Sequence, residues 1–80
     1  MKTINYTKFK DELLKNGWVE YNTGMLRFKA NDGRVFIFIL YALTISAYYD
    51  LTPQSGFTYI ATAKSPKKVF KIIDLLTNEN

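Results

Sequence analysis

The sequence predicts an α+β fold: an antiparallel meander in the order α-β-β-β-β-α, with one helix at each end and a long, bent third strand. Three observations predict it. Apolar residues recur at helical spacing near both ends of the chain, and each stretch opens on a capping residue. Between them the pattern turns to alternation, interrupted by Gly-bearing turns. One run, VFIFILYALTISAYY from Val35 to Tyr49, holds fifteen residues without a charge, Gly, Pro, Asn or Asp.

Asn5 is placed to cap a first helix from Tyr6 to Asn16, where Tyr6, Phe9 and Leu13 share a stripe and Gly17 follows the last turn. WVEYN (18–22) and MLRFKA (25–30) read as short strands joined by a tight turn at Thr23 and Gly24. In the second, Leu26, Phe28 and Ala30 face in while Arg27 and Lys29 face out. Asn31-Asp32-Gly33 is a hairpin turn into the apolar run. Past the run, the loop LTPQSG (51–56) leads to a last strand, FTYIATAK (57–64), with Phe57, Tyr59, Ala61 and Ala63 on one face. Ser65 and Pro66 open the second helix as N-cap and first helical residue, and Val69, Ile72, Ile73 and Leu76 form its buried stripe.

The apolar run is too short for a membrane helix, which needs ~20 residues, and its Val, Ile, Phe, Tyr and Thr content favours a strand. Its odd positions, from Val35 to Tyr49, are apolar or aromatic without a break. Its even positions begin with Phe36, Phe38, Leu40 and Ala42 and turn polar at Thr44 and Ser46. With no turn-forming residue inside, the run reads as one strand from about Arg34 to Asp50, with the odd positions as its core stripe. Fifteen extended residues span ~50 Å, against a diameter of roughly 30 Å for a domain of this size. Such a strand must bend near Tyr41 and Ala42 or project into a partner.

Eighty residues with 48% hydrophobic and 22% charged content make one folded domain spanning 1–80, without linker or repeat. There is no Cys and no His, which removes disulfides, thiol nucleophiles, imidazole catalysis and the common soft metal ligands. Asp11 and Glu12 are adjacent on a helix and point apart, so they do not share a proton. No Gly-rich phosphate loop, nucleophile elbow or metal spacing occurs. The expectation is a protein that is not an enzyme, with no catalytic residues, no metal and no cofactor. The opening MKTINYTKFKDELLKN carries charges throughout and no apolar leader, so a cytoplasmic location is expected. The net charge is +4, and nine of the eleven cations are Lys, suited to phosphates as point charges.

Lys64, Lys67, Lys68 and Lys71 gather around the start of the second helix. Lysines there oppose the helix dipole, yet the same terminus offers free N–H groups, so an anion would be held by dipole, amides and lysines together. Lys67-Lys68-Val69-Phe70-Lys71 resembles the Lys-Lys-x-x-Lys opening the last helix of double-stranded-RNA-binding domains. That resemblance implies phosphate contacts across a duplex groove, although the Gly-rich approach and Ala-rich helix of those domains are missing. LLKNGWVEYNTGMLRFKANDGR resembles the N-terminal part of HicA-type mRNA-cleaving toxins through Leu13, Leu14, Asn16, Gly17, Trp18, Asp32 and Gly33. Met25 stands where that family carries its catalytic His, so the resemblance implies a fold and not the cleavage activity.

A second candidate surface is aromatic. Phe36, Phe38 and Leu40 lie opposite the odd stripe, with Tyr48 beside polar Thr44 and Ser46, which has the anatomy of a protein interface. Small size, a Lys-, Asn-, Ile- and Tyr-rich composition and the absence of catalytic groups are similar to accessory proteins of phages and mobile elements, anti-CRISPR inhibitors above all. The sequence therefore predicts a binding protein that inhibits a nucleic-acid-handling effector by occupying its surface. Direct binding of duplex RNA or DNA, its phosphates gripped by the lysine cluster, is the alternative, and a homodimer closing over Phe36 and Phe38 is a third.

Overall fold

A computed structural model describes residues 4–49 and 56–77 and, of Tyr49, the backbone alone. The first helix, α1 (Tyr6–Lys15), starts where the Lys8 N–H donates to Asn5 Oδ1 at 3.1 Å. It stops at Asn16 and Gly17, the latter at φ 95°, and the Trp18 N–H returns to the Leu13 carbonyl at 3.1 Å. At the other end, α2 (Pro66–Thr77) starts where the Lys68 N–H donates to Ser65 Oγ at 3.3 Å. Among the described residues no helix is long and apolar enough to cross a membrane. The predicted loop lies, but for Gly56, outside the described residues.

Between the helices run five strands: β1 (Val19–Asn22), β2 (Met25–Lys29), β3 (Arg34–Ile39), β4 (Thr44–Tyr49) and β5 (Thr58–Thr62). All pair antiparallel in chain order, β1-β2-β3-β4-β5, so the fold is an α+β meander with a helix at each end. The single long third strand is corrected. The run folds into a hairpin, β3–β4, and residues 40–43 make its turn. The bend expected near Tyr41 and Ala42 is complete chain reversal.

This turn contains neither Gly nor Asn, and Leu43 takes the left-handed φ of 56°. A non-Gly residue there costs on the order of 1–3 kcal/mol and persists only where surrounding structure over-determines it. That structure is present. The Ala42 and Leu43 N–H groups both donate to the Ile39 carbonyl, at 3.2 and 2.8 Å. The Leu43 carbonyl accepts from the Ala63 N–H at 2.9 Å, and the Leu40 N–H donates to the Gly24 carbonyl at 2.8 Å. The Leu43 side chain packs against the core.

The reversal exchanges the faces. Phe36 pairs with Ala47 and Phe38 with Ile45, so the stripe of positions 36, 38 and 40 continues across the turn as 45 and 47. Both helices pack on that stripe. Phe9 and Leu13 from α1 and Val69 and Ile73 from α2 join Phe36, Phe38, Leu40, Leu26, Ile45 and Ala47 in one core. Phe9 lies flat on Phe38 with ring centroids 5.0 Å apart. The odd positions of β3 therefore face away from the helices. Val35 and Ile37 are nonetheless buried, flanked in register by Lys29 and Tyr48 and by Arg27 and Ser46.

The β4–β5 pairing shifts register between Ile45 and Ser46, which makes Ile60 an extra, bulged residue. Bulges re-aim side chains. Ile60 packs toward the core, and Tyr59 joins Thr62 on the helix-free side, their hydroxyls 2.9 Å apart. Phe57, Tyr59, Ala61 and Ala63 thus do not share a face. Ala63 is buried, and Phe57 and Tyr59 are exposed.

Arg34 joins the β2–β3 turn to the end of α2. Its Nε and Nη2 reach Asp32 Oδ2 at 2.7 and 2.6 Å, and Nη2 also donates to the Leu76 carbonyl at 2.6 Å. The Arg34 side chain, then its backbone N–H, hold the Asp32 carboxyl below the usual carboxylate range. A depressed carboxyl adds stability at pH above its unfolded value and loses it as pH falls through the folded value. The stability gap between the wild type and Asp32→Asn is therefore expected to close on acidification, a small effect because Asp32 is exposed. A gap that stays constant from neutral pH down to pH ~2, below the usual carboxylate range, would show that the charge contributes nothing.

Candidate nucleic-acid interface

The lysine cluster is positioned by its apolar neighbours. Val69 and Ile73 are buried against the sheet, and this anchoring turns Lys67, Lys68 and Lys71 to solvent, with Lys64 exposed just before the cap. Lys67 and Lys71 stand four residues apart and share a face of the helix. The first turn of α2 holds no acid. Among the described residues none of the four lysines makes an ion pair or side-chain hydrogen bond. The cluster is a positive charge held on a rigid element and paired with none of the described carboxylates.

Tertiary structure adds a fifth cation. The starts of α1 and α2 open onto one groove of about 650 Å³, whose wall includes both N-cap residues, Asn5 and Ser65, together with Lys8 and Lys64. Glu12 is the one carboxylate in that wall. Sequence reasoning missed Lys8. Fifty-six positions separate Lys8 from Lys64, and only the packing of two helices on one sheet face brings them together.

The expected protein interface is not there. Phe36 and Phe38 are 0% exposed and Leu40 is 3% exposed, so all three belong to the core. Their stripe is the one both helices cover, which removes the partner surface and the homodimer closing over Phe36 and Phe38. Tyr48 alone of the four lies on the helix-free face, half-buried and edge-to-face with Phe57 at 4.9 Å.

That helix-free face is the larger surprise. One register row crosses it as Val19, Arg27, Ile37, Ser46 and Tyr59. Tyr21 stands at the β1 side with Arg27 over its ring, 6.0 Å from the centroid, and its hydroxyl faces Met25 Sδ at 4.0 Å. None of the described carboxylates is on this face. Glu20 points to the helix side, 3.6 Å from Lys10, Asp32 is in a turn, and Asp11, Glu12 and Asp74 are on helices. Among the described residues no three acidic side chains converge. No protein-family model, curated protein or solved structure matches the chain.

Proposed function

We propose that the protein is a non-enzymatic binding module that grips the phosphates of nucleic acid through Lys64, Lys67, Lys68 and Lys71. One observation carries this reading: four exposed lysines around a helix start that has no acid in its first turn. Phosphates meeting that surface gain from the dipole and from cations that pair with none of the described carboxylates, with the Lys67 N–H beside them, since Ser65 already takes the Lys68 N–H and Pro66 has none. Lys8, across the groove, extends the same positive surface. The alternative, an inhibitor occupying a nucleic-acid-handling effector as anti-CRISPR proteins do, rests on size and composition. The surface expected for it, Phe36, Phe38 and Leu40, lies in the core, so the phosphate-binding reading comes first.

Counterion release supplies the test. Affinity for a short duplex or single strand should fall linearly on a logarithmic scale with salt, and each Lys→Ala should reduce the slope by about one unit. Lys15→Ala, at the far end of α1, should leave the slope unchanged. Binding that survives substitution of Lys64, Lys67, Lys68 and Lys71 together, with its salt slope intact, removes the cluster from the function.

A further inference from the structure

We propose that the helix-free face of the sheet is a stacking platform for the unpaired bases of single-stranded nucleic acid. The inference deepens the phosphate-binding reading and rests on it, because it names which nucleic acid is held and where its bases lie.

The face is built for flat contacts. Its apolar floor, Val35 and Ile37, is only 2% exposed at each position, so it offers no pocket for a protruding side chain. Three aromatic rings reach solvent, Tyr59 at 60%, Phe57 at 58% and Tyr21 at 44%, with Tyr48 half-buried beside Phe57 and Val19 exposed on the same row. The bulge in β5 is what puts Tyr59 here, since unbroken alternation from Ala61 would send it to the core side. Tyr21 and Tyr59 occupy the two edge strands, four strand spacings or ~19 Å apart, which is room for several nucleotides. Arg27 stands between them and already lies over a ring, the geometry in which a guanidinium also stacks on a base.

Charge selects the ligand class. Arg27 projects from this face and none of the described carboxylates does, which suits a polyanion better than a neutral protein surface. Exposed rings contribute to binding when bases are unstacked and available, at ~1–3 kcal/mol per base. In a duplex the bases are already stacked on one another, so the platform discriminates for single strands. At its C-terminal end β5 passes within two residues to Lys64, so a backbone leaving the platform over Thr62 meets the lysine cluster.

The test compares an oligothymidylate, an oligouridylate and a duplex of matching length by fluorescence anisotropy, using the full chain. Single strands should bind tighter than the duplex. Tyr59→Ala and Tyr21→Ala should each weaken single-strand binding about tenfold, within the ~1–3 kcal/mol of one stacked base, and leave duplex affinity and the salt slope unchanged. Tyr59→Phe keeps the ring and should bind as the wild type does. Both tyrosines are exposed, so circular dichroism of each variant should match the wild type. If the lysine variants abolish binding while both Tyr→Ala variants bind normally, the phosphate-binding reading stands and the platform falls. If no oligonucleotide binds at all, both fall. If sedimentation shows a dimer that Tyr59→Ala dissociates, a second copy covers the face and the platform is overturned.

Discussion

Phe38→Ala is expected to destabilise the fold by about 3–5 kcal/mol, the usual range for emptying the site of a buried Phe. The side chain is 0% exposed, lies flat on Phe9 of α1, and sits between Leu26 and Ile45 on the neighbouring strands. Those neighbours are held by the sheet register and by α1, so they cannot collapse far into the space left behind. A domain of eighty residues has roughly 4–12 kcal/mol of stability in total, so this one substitution removes a large share of it. Urea denaturation should report a much lower midpoint at an unchanged slope. Phe57→Ala is the comparison: Phe57 is exposed, and its loss removes the edge-to-face contact with Tyr48, worth ~1 kcal/mol. Equal midpoints for the two variants would contradict the packing of both helices on the Phe36–Phe38 stripe.

Gly24→Ala should be the most damaging change of its size outside the core. Gly24 sits at φ 74°, where a side chain costs roughly 1–2 kcal/mol by conformation alone. An added Cβ would also lie 2.7 Å from Cε2 of Tyr41, whose ring packs against Tyr6 at 5.3 Å between centroids. The Gly24 carbonyl, moreover, accepts the Leu40 N–H at the entrance to the β3–β4 turn. Strain at Gly24 is therefore passed to the turn that already carries Leu43 in its left-handed conformation. The double variant Gly24→Ala, Tyr41→Ala separates the two contributions. It should recover the steric part and leave the conformational part, so the two losses should sum to less than additive. Strict additivity would mean that Tyr41 swings away at no cost and that only the backbone conformation is at issue.

The parts of this fold legible in the sequence are those fixed by local chemistry. Asn5 and Ser65 cap helices because their side-chain oxygens reach amides three residues on, and Gly17, Gly24 and Gly33 take left-handed conformations in the turns predicted for them. The exposure of the lysine cluster was legible for a similar reason, since Val69 and Ile73 fix which side of α2 faces in. The β3–β4 hairpin was not, because much of what holds its turn is tertiary: the Gly24 carbonyl accepts the Leu40 N–H, the Ala63 N–H donates to the Leu43 carbonyl, and the core receives the Leu43 side chain. A signal did exist. The even positions change from Phe36, Phe38 and Leu40 to Thr44, Ser46 and Tyr48, which is how a stripe looks when the chain reverses and exchanges faces. The aromatic make-up of the helix-free face needed two facts beyond sequence alternation, the hairpin and the bulge at Ile60.

A sheet ordered β1-β2-β3-β4-β5 ends in two edges, and each edge strand has a break in its register, one between Glu20 and Asn22 and one opposite Ile45 and Ser46. Regular edges are templates on which a second chain can add a strand, the route to edge-to-edge aggregation, and bulges are one way proteins blunt them. Both open ladders of this molecule are interrupted in that way. The broad aromatic face therefore lies between two flanks that are poor templates for strand-by-strand polymerisation.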